Sequence, residues 1–494
     1  MQAEERIGGP SVKNAGFEKT LRVAQSLTRT GALALLAVLA FSRPASAQVV
    51  ISTGIQEIYD DNIFLEDDKG VPPPFVVDSQ LGDPNANVIP PKQVNGHPDE
   101  DFLTDLYVGV SGAIPLTPAL KTSADVKVGA IIFADNSNQS RMTLDSTLDV
   151  LTEKSLLPDP YYVEAKNVVQ SRASDITAAD GTATRQSQTM ITSLQLGVRD
   201  VKLGTDTKAA LGYTFAYNDF LGDFTFSNSD EEDLGPFANR VKVRGSDYIT
   251  NGLDGTIDHT LATNLDGGVF AGVTEYTFTN VESNDLQTTQ DESDLDRLEA
   301  VTGLKSTYQV SQQVSVGGSA GVNYSHLNNR PDDVTVTVID ENGVATEVSR
   351  PGQQNDTSFI FGANVNYVPD VTSLLRLAVD QTRSTDVDGN QLITRSVSLD
   401  GSKAFGDRWK LAAGGKFLQF NVGSSLSRPT ERYEFTLSTQ YSLTESIALS
   451  AGWNYVDQST DKDNLSQRLV YASEDYTGNR FFIGLTAGLV GTKS

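Results

Sequence analysis

The sequence contains no cysteine, three methionines and three histidines in 494 residues. The absence of cysteine excludes disulfide scaffolds, thiolate zinc sites, iron–sulfur clusters and thiol nucleophiles. The histidines, His97, His259 and His326, are far apart in the sequence and leave little material for a metal centre or a Ser-His-Asp triad. We therefore expect no cofactor, no metal site and no enzymatic activity.

Basic residues are also scarce, with 38 Lys and Arg against 64 Asp and Glu, giving a net charge of -26. Nucleic-acid binding depends on clustered basic residues, so we expect no nucleic-acid partner. Hydrophobic residues make up only 38% of the chain. After residue 47 no apolar run approaches the roughly 20 residues that a transmembrane helix needs, which excludes a polytopic helical membrane protein.

One short apolar run, residues 31–41, lies near the N-terminus. Four basic residues precede it between positions 13 and 29, and Ala45-Ser46-Ala47 follows it. Small residues at these two alanine positions are typical of a signal-peptidase site. We predict a cleaved signal peptide over residues 1–47 and a mature, exported chain over 48–494; the alternative is an N-terminal anchor or a buried helix.

The mature chain alternates between apolar and polar residues. Between Tyr433 and Tyr441, aromatic and mostly apolar residues occupy the odd positions, and polar residues occupy the even ones. The same period of two recurs at 209–218, 314–324, 359–367 and 447–455, which indicates half-buried strands. A β-sandwich also alternates, but here the polar face is rich in Gly, Ser, Asn and Thr, and the segments exceed the usual strand length of about 5–6 residues. Transmembrane strands need about 9–11 residues in the hydrocarbon.

Strand-like segments alternate with short and long polar connections, the longest at about 60–101. Short periplasmic turns alternating with long outer loops are typical of outer-membrane barrels. We therefore predict an all-β fold, a transmembrane antiparallel up-and-down β-barrel of about 18 strands in the cell outer membrane, or 16 if the weakest pair, 142–152 and 160–171, does not form. The predicted strands are 49–59, 102–116, 120–134, 142–152, 160–171, 188–202, 207–220, 247–261, 264–279, 296–310, 314–328, 356–369, 373–385, 392–405, 408–421, 432–444, 447–459 and 476–490.

Aromatic residues at the strand ends predict two belts at the membrane interfaces. Residues of the outer belt would be Phe133, Tyr217, Tyr276, Tyr324, Trp453 and Tyr455, and those of the inner belt Tyr308, Tyr367, Phe405 and Tyr441.

The polar face of the strands supplies the candidate functional residues, because in a barrel it faces the lumen. The candidate pore-lining residues are Asp125, Lys127, Gln195, Arg199, Asn364, Asn366, Lys410, Lys416, Glu434, Ser438 and Gln440. Both signs of charge occur among them, so the sequence leaves charge selectivity open, and it leaves the oligomeric state open as well.

The mature chain opens with Gly54-Ile55-Gln56-Glu57-Ile58-Tyr59-Asp60-Asp61-Asn62-Ile63-Phe64. This segment resembles the opening of a β-barrel porin family of Gram-negative outer membranes, and Phe133-Ala134-Asp135-Asn136 is similar to a strand end that recurs there. The resemblance implies an outer-membrane barrel, and some relatives are associated with exopolysaccharide export. Asp60-Asp61-Asn62 could bind Ca²⁺, but a turn that ends the strand is the simpler interpretation.

The sequence thus favours an outer-membrane channel for passive passage of small hydrophilic solutes, with membrane lipid as its surroundings. The alternatives are a barrel component of exopolysaccharide export, with polysaccharide as the partner, and a structural or adhesive surface barrel.

The signal-peptide prediction has a direct test. The mature protein should begin at or near Gln48, because Ala45 and Ala47 present small side chains to the peptidase. N-terminal sequencing of protein extracted from membranes measures this, and a start upstream of residue 31 would contradict the assignment.

Overall fold

The computed structural model describes residues 48–61, 75–77, 100–113, 120–134, 141–152, 156–157, 159–170, 176–177, 183–184, 189–220, 224–225, 242–243, 247–280, 296–328, 334–339, 345–350, 355–385, 391–422, 430–460 and 476–490. The predicted signal peptide, 1–47, lies outside these residues, as does most of the predicted 60–101 loop.

Eighteen long antiparallel strands of 10 to 16 residues form one sheet. Their bounds are β1 Gln48–Asp60, β2 Asp101–Ala113, β3 Leu120–Phe133, β4 Arg141–Thr152, β5 Tyr161–Gln170, β6 Thr189–Lys202, β7 Thr207–Phe220, β8 Asp247–Ala262, β9 Leu265–Asn280, β10 Arg297–Gln309, β11 Val314–Leu327, β12 Asp356–Tyr367, β13 Ser373–Thr385, β14 Gln391–Phe405, β15 Trp409–Val422, β16 Thr430–Ser442, β17 Ile447–Thr460 and β18 Tyr476–Val490.

The sheet closes on itself. Each strand pairs with the strand before it and the strand after it, and β1 pairs with both β2 and β18. Closure leaves no open edge among the eighteen strands, so the fold is an up-and-down barrel. Closure matters in lipid, where a backbone amide or carbonyl without a hydrogen bond costs several kcal/mol.

The predicted barrel of 18 strands is confirmed, and each predicted boundary lies within three residues of the observed one. The doubtful pair, β4 and β5, does form and keeps its place in the ring. The fallback of 16 strands is therefore wrong. Alternation with a period of two, sustained over a dozen residues, shows how long a strand is and which of its side chains share a face. This explains the agreement.

Connections divide the barrel into two ends. The short-turn end, where β2 finishes, carries connections of two to eight residues, and the long-loop end, where β1 finishes, carries connections of five to 40 residues. Three connections at the long-loop end, 134–140, 386–390 and 423–429, have seven residues or fewer, so the predicted alternation of lengths is not strict.

Short strands also occur between the barrel strands. Val334–Ile339 pairs with Ala345–Arg350 and, on its other edge, with Phe75–Val77. Two-residue pairs join Ile176–Thr177 to Ala183–Thr184 and Phe224–Thr225 to Lys242–Val243. Among the residues that the structure describes, no helix is long and apolar enough to cross a membrane.

The outer face of the barrel is apolar around its circumference. Large side chains such as Ile55 on β1, Leu253 on β8 and Leu437 on β16 point outward and are 42%, 52% and 45% exposed. A continuous apolar band of this kind would be unfavourable in water, whereas it matches the hydrocarbon of a bilayer. The protein is therefore a transmembrane β-barrel.

The predicted aromatic belts are only partly correct. Tyr308, Tyr367, Phe405 and Tyr441 are exposed on the outer face near the short-turn end, and Tyr324 is exposed near the long-loop end. Phe133 and Tyr276, which we placed in the outer belt, instead face the interior. Phe133 packs in a buried cluster with Leu103 and Ile131, and Tyr276 lies across from the buried Arg297. Alternation identifies the two faces of a strand, but an aromatic at a strand end fits either face.

Side chains reinforce the seam between the first and last strands. The Asp60 carboxylate is 1% exposed and lies 3.0 Å from the Arg480 guanidinium. Beside it, Asp61 Oδ2 accepts a 2.8 Å hydrogen bond from Asn479 Nδ2, and the Asp61 backbone N–H donates to the Asn479 carbonyl at 3.1 Å. These two acids belong to the opening segment on which the family resemblance rests, and here they hold the closing strand.

The facing of the strands can be tested at one pair of neighbours on β16. Leu437→Arg should lower stability by about 2–4 kcal/mol, because an arginine near the bilayer midplane loses its hydration. Thr436→Arg, on the inward face of the same strand, keeps its water and is the matched control. Urea unfolding in lipid vesicles measures both, and equal losses would contradict the register.

Candidate functional site: the barrel interior

All eleven candidate pore-lining residues lie on the inward face of the barrel. The register places Lys127 opposite Asp145, Gln195 opposite Glu164, Asn364 opposite Gly317 and Lys416 opposite Glu434, in each case on the face opposite to the exposed apolar side chains. Whether they line a path for solutes stays a prediction.

The barrel distributes these residues over several sectors and does not gather them at one point. The densest group lies on β15 and β16, where Lys416 faces Glu434 and Lys410 faces Gln440, with Ser438 between them along β16. A second group on β12 joins Asn366 to Asn364 by a 3.0 Å hydrogen bond. Asp125 and Lys127 lie on β3, and Gln195 and Arg199 lie on β6.

Arg199 is held by a local irregularity of β6. The register between β6 and β7 shifts at this point, and Asp200 adopts a positive φ of 56°. The Arg199 guanidinium lies 5.1 Å from the centre of the Tyr162 ring on β5. A cation over an aromatic face is attracted by the ring, so Tyr162 orients this arginine in the interior.

The interior is filled near the long-loop end. Arg297 at the start of β10 is 0% exposed, and its Nε donates a 2.9 Å hydrogen bond to Glu299. Its guanidinium carbon lies 4.5 Å from the Tyr276 ring centre and 5.5 Å from that of Phe278. Tyr248 completes the group, with its ring 5.3 Å from Phe278. Because Arg297 is fully desolvated, its interactions with Glu299 and the rings must replace water.

Further charged pairs continue this filled region around the ring. Arg383 Nη2 lies 2.8 Å from Asp356, and the Arg383 side chain is 0% exposed. Arg432 Nε lies 2.7 Å from Glu434, with 7% of the arginine side chain exposed. Together with the Asp60–Arg480 pair at the seam, these contacts place paired, buried charges near the long-loop end of β1, β10, β13, β16 and β18.

Farther from the long-loop end the interior is open. Lys410, Lys416, Gln440 and Arg199 all face inward and are nevertheless exposed to solvent. An inward side chain can be exposed only if the space in front of it is unfilled. An 18-stranded barrel is wide enough for this, since barrels of 16 to 18 strands enclose an aqueous lumen.

Glycines allow aromatic rings to lie flat against the interior wall. A Cβ on Gly54 would approach the Tyr107 ring on β2 to 2.3 Å, and one on Gly452 would approach the Phe482 ring on β18 to 2.4 Å. Both distances are shorter than any real Cβ contact, so alanine would push each ring into the lumen. Rings covering strand glycines are a known means of fixing register in barrels.

Sequence reasoning missed the residues that fill the long-loop end. Arg297, Glu299, Arg432 and Tyr248 occupy the inward positions of their strands, so alternation could have assigned their facing. It could not have shown that they would be buried, because that depends on neighbours brought from other strands.

At the short-turn end, Asp370 organises the connection between β12 and β13. It accepts hydrogen bonds from the Thr372 hydroxyl, the Lys403 ammonium and the Ser373 hydroxyl. The Thr372 contact above all, with the help of Lys403, holds the pKa of the Asp370 carboxyl well below its usual range. This carboxylate therefore stays ionised and anchors the turn.

In the described part of the chain, no group of three His, Asp or Glu side chains is placed to hold a metal ion. His259 lies on the outer face with Nδ1 2.8 Å from the Thr207 hydroxyl, and His326 stacks on Tyr324 with ring centres 6.4 Å apart.

Comparison with known proteins gives likenesses of structure only. No family model matches the sequence, and no curated protein matches it. OmpT of Vibrio cholerae, as expressed in the outer membrane, matches with 12% identity and a TM-score of 0.34, covering 91% of this chain and 99% of that one. Pseudomonas aeruginosa OccK3 matches with 11% identity and a TM-score of 0.40, covering 90% and 96%. Pseudomonas aeruginosa OpdQ matches with 9% identity and a TM-score of 0.41, covering 90% and 98%.

The assignment of the fold comes from the strand pairing itself. A closed barrel of even strand number, with an apolar outer face, is the architecture of bacterial outer-membrane proteins. The protein is an outer-membrane β-barrel of porin-like architecture.

The expectation that the chain is not an enzyme is corrected. That expectation rested on the absence of cysteine and the wide spacing of the three histidines, whereas OmpT structures, at 12–13% identity, are among the matches. The physical reason is that a barrel fold leaves activity open, since function depends on the site and not on the scaffold.

The contrast between the filled and open parts of the interior can be tested with two arginines. Arg297→Ala should destabilise the barrel by about 3 kcal/mol or more, because it leaves the buried Glu299 without its partner. Arg199→Ala, at an exposed inward position, should change stability by less than about 1 kcal/mol. Urea unfolding in vesicles measures both variants. Similar losses would show that the two arginines share one environment.

Proposed function

We propose that the protein is an outer-membrane channel for passive passage of small hydrophilic solutes. The supporting observation is the solvent exposure of inward-facing residues in the middle of their strands, above all Lys416 on β15 and Thr436 on β16. Such exposure requires water inside the barrel, and a hydrated lumen lined with polar groups admits hydrophilic solutes while excluding lipid.

The inward face also explains why the passage would be unspecific for charge type. Lys416 stands opposite Glu434, and Lys127 stands between Asp125 and the cross-strand Asp145. Charges of opposite sign that lie close together weaken each other's field at a distance, so neither anions nor cations are excluded outright.

The opening segment adds a narrower hypothesis. Its resemblance to a porin family with some members associated with exopolysaccharide export suggests saccharides as one class of solute to test. Passive passage of small solutes is the better supported proposal, because it requires only the open interior.

The proposal is tested by conductance of the purified protein in a planar bilayer. We expect stable, ohmic current steps from a folded barrel, since 18 strands leave an aqueous channel. Folded protein that carries no current would contradict the channel and favour a structural surface barrel. Current blocked by added oligosaccharide would support the narrower hypothesis.

Charge reversal tests the lining of the channel. Arg199→Glu combined with Lys416→Glu should shift the reversal potential toward cation preference, because a narrow aqueous channel with low-dielectric walls focuses the field of its charges. The shift should shrink in 1 M salt, where the Debye length is about 3 Å. Arg395→Glu, on the outer face of β14 between the neutral Gln381 and Gln419, is the control. A shift of equal size in the control would contradict the assignment of the lining.

A further inference from the structure

A row of directly opposite residues crosses four neighbouring strands in the open part of the interior. Tyr162 on β5 lies opposite Gly197 on β6, which lies opposite Gly212 on β7, which in turn lies opposite Asp254 on β8. A residue beside each of them along its strand is exposed on the outer face, so all four face inward. The row is therefore a floor of two glycines with a phenol at one end and a carboxylate at the other.

The two ends of this row meet above Gly212. Tyr162 reaches past Gly197 of the intervening strand, and its hydroxyl lies 3.1 Å from the point that a Cβ on Gly212 would occupy. Asp254 Oδ1 lies 3.3 Å from the same point. A single small molecule resting above Gly212 can therefore touch both side chains.

The backbone keeps the floor free of side chains. A Cβ on Gly197 would lie 2.2 Å from the Leu211 carbonyl oxygen, which no real Cβ contact permits. The register between β6 and β7 shifts just beyond this point, where Asp200 has its positive φ. Such bulges re-aim neighbouring side chains and are common beside functional sites. The side chain beside this bulge is that of Arg199.

Arg199 brings a cation to the same place. Its guanidinium carbon lies 5.1 Å from the centre of the Tyr162 ring, and the hydroxyl of that ring lies beside Gly212. Both Arg199 and Asp254 are exposed to the lumen. The phenol thus stands between a guanidinium and a carboxylate.

Nearby acids at the same end of these strands have basic partners, whereas Asp254 does not. Lys305 Nζ lies 2.8 Å from Asp258, and Lys208 Nζ lies 3.3 Å from Asp200. Among the residues that the structure describes, Arg199 and Asp254 form no ion pair, with each other or with a third residue. Both charges therefore stay available to a solute.

We propose that Arg199, Tyr162 and Asp254 form a binding site in the lumen for small zwitterions, molecules that carry an anionic and a cationic group on neighbouring atoms, as α-amino acids do. The guanidinium binds the anionic group, because its fork of N–H donors matches a carboxylate. Asp254 binds the cationic group, and the Tyr162 hydroxyl bonds to the solute between them. This inference rests on the proposed channel, since the lumen is the route to the site.

The two unpaired charges favour a zwitterion over a solute with one charge. An anion attracted to Arg199 is repelled by the nearby Asp254, and a cation attracted to Asp254 is repelled by Arg199. Only a solute that carries both charges gains from both residues.

Three nearly isosteric compounds test this preference. L-Alanine carries both charged groups, isobutyrate carries only the carboxylate, and isopropylammonium carries only the ammonium. Saturation-transfer NMR on the folded protein in detergent measures their binding without requiring any current. We expect L-alanine to bind at least about fivefold more tightly than either of the others, because it makes one more charged contact at a solvent-exposed site.

Variants of the site should remove this preference. Asp254→Asn and Arg199→Gln should each weaken L-alanine binding to the level of the singly charged compounds. Gly212→Ala should do the same without changing any charge, because its methyl group occupies the point between Tyr162 and Asp254. Its neighbours there are the ends of side chains, so the barrel should still fold. Asp400→Asn, which removes an exposed inward acid on β14, is the matched control and should bind L-alanine like the unaltered protein.

The site and the channel fail in different ways. Equal binding of the three compounds, or L-alanine binding that Asp254→Asn and Gly212→Ala leave unchanged, would overturn the site. An equal loss in the Asp400→Asn control would also overturn it, because the effect would then come from the general charge of the lumen. Planar-bilayer current without L-alanine binding would keep the channel and reject the site. L-Alanine binding by folded protein that carries no current would keep the site and defeat the channel.

Discussion

The structure depends on closure of the sheet, that is, on the hydrogen bonds between β1 and β18. A strand in lipid cannot use water to satisfy its backbone amides and carbonyls, so an open edge would be prohibitive. Eleven register pairs join β1 to β18, and the Asp60–Arg480 and Asp61–Asn479 contacts add side-chain bonds at the long-loop end of that seam. The apolar outer face and the hydrated interior both follow from this closure, because a closed ring separates inside from outside.

Closure also sets two opposing demands on the interior. An 18-stranded ring is too wide for the side chains of its own wall to fill completely. A channel nevertheless needs side chains that shape its lumen. The protein meets these demands at different depths. Near the long-loop end, Arg297, Arg383 and Arg432 are buried against carboxylates, and Arg297 also contacts two aromatic rings, so side chains fill that region. Farther in, Lys410, Lys416 and Gln440 stay solvated, which leaves a path for water.

The net charge of the whole chain differs from the charge balance of the inward face of the barrel. The sequence carries a net charge of -26, but the inward face of the described strands alternates acids with lysines and arginines in close cross-strand pairs. The excess of acid therefore does not translate directly into a strongly anionic lumen. Charge reversal at single inward positions is thus expected to act through local field changes and not through the overall charge.

The sequence by itself determined the fold class, the number of strands, their bounds to within three residues, and the inward facing of all eleven candidate residues. It could do so because strand facing is a local property: period-two alternation fixes which side each residue occupies, and the lipid requires one side to be apolar.

Only the tertiary structure decided which inward residues are buried and which are solvated. Phe133 and Tyr276 were assigned to the outer belt because an aromatic at a strand end suits either environment. Leu103 and Arg297 from neighbouring strands, together with Ile131 on the same strand as Phe133, make the interior the lower-energy choice. The pairing of Phe75–Val77 with Val334–Ile339 was equally beyond sequence reasoning, because about 260 residues separate the two strands and their pairing is a long-range contact.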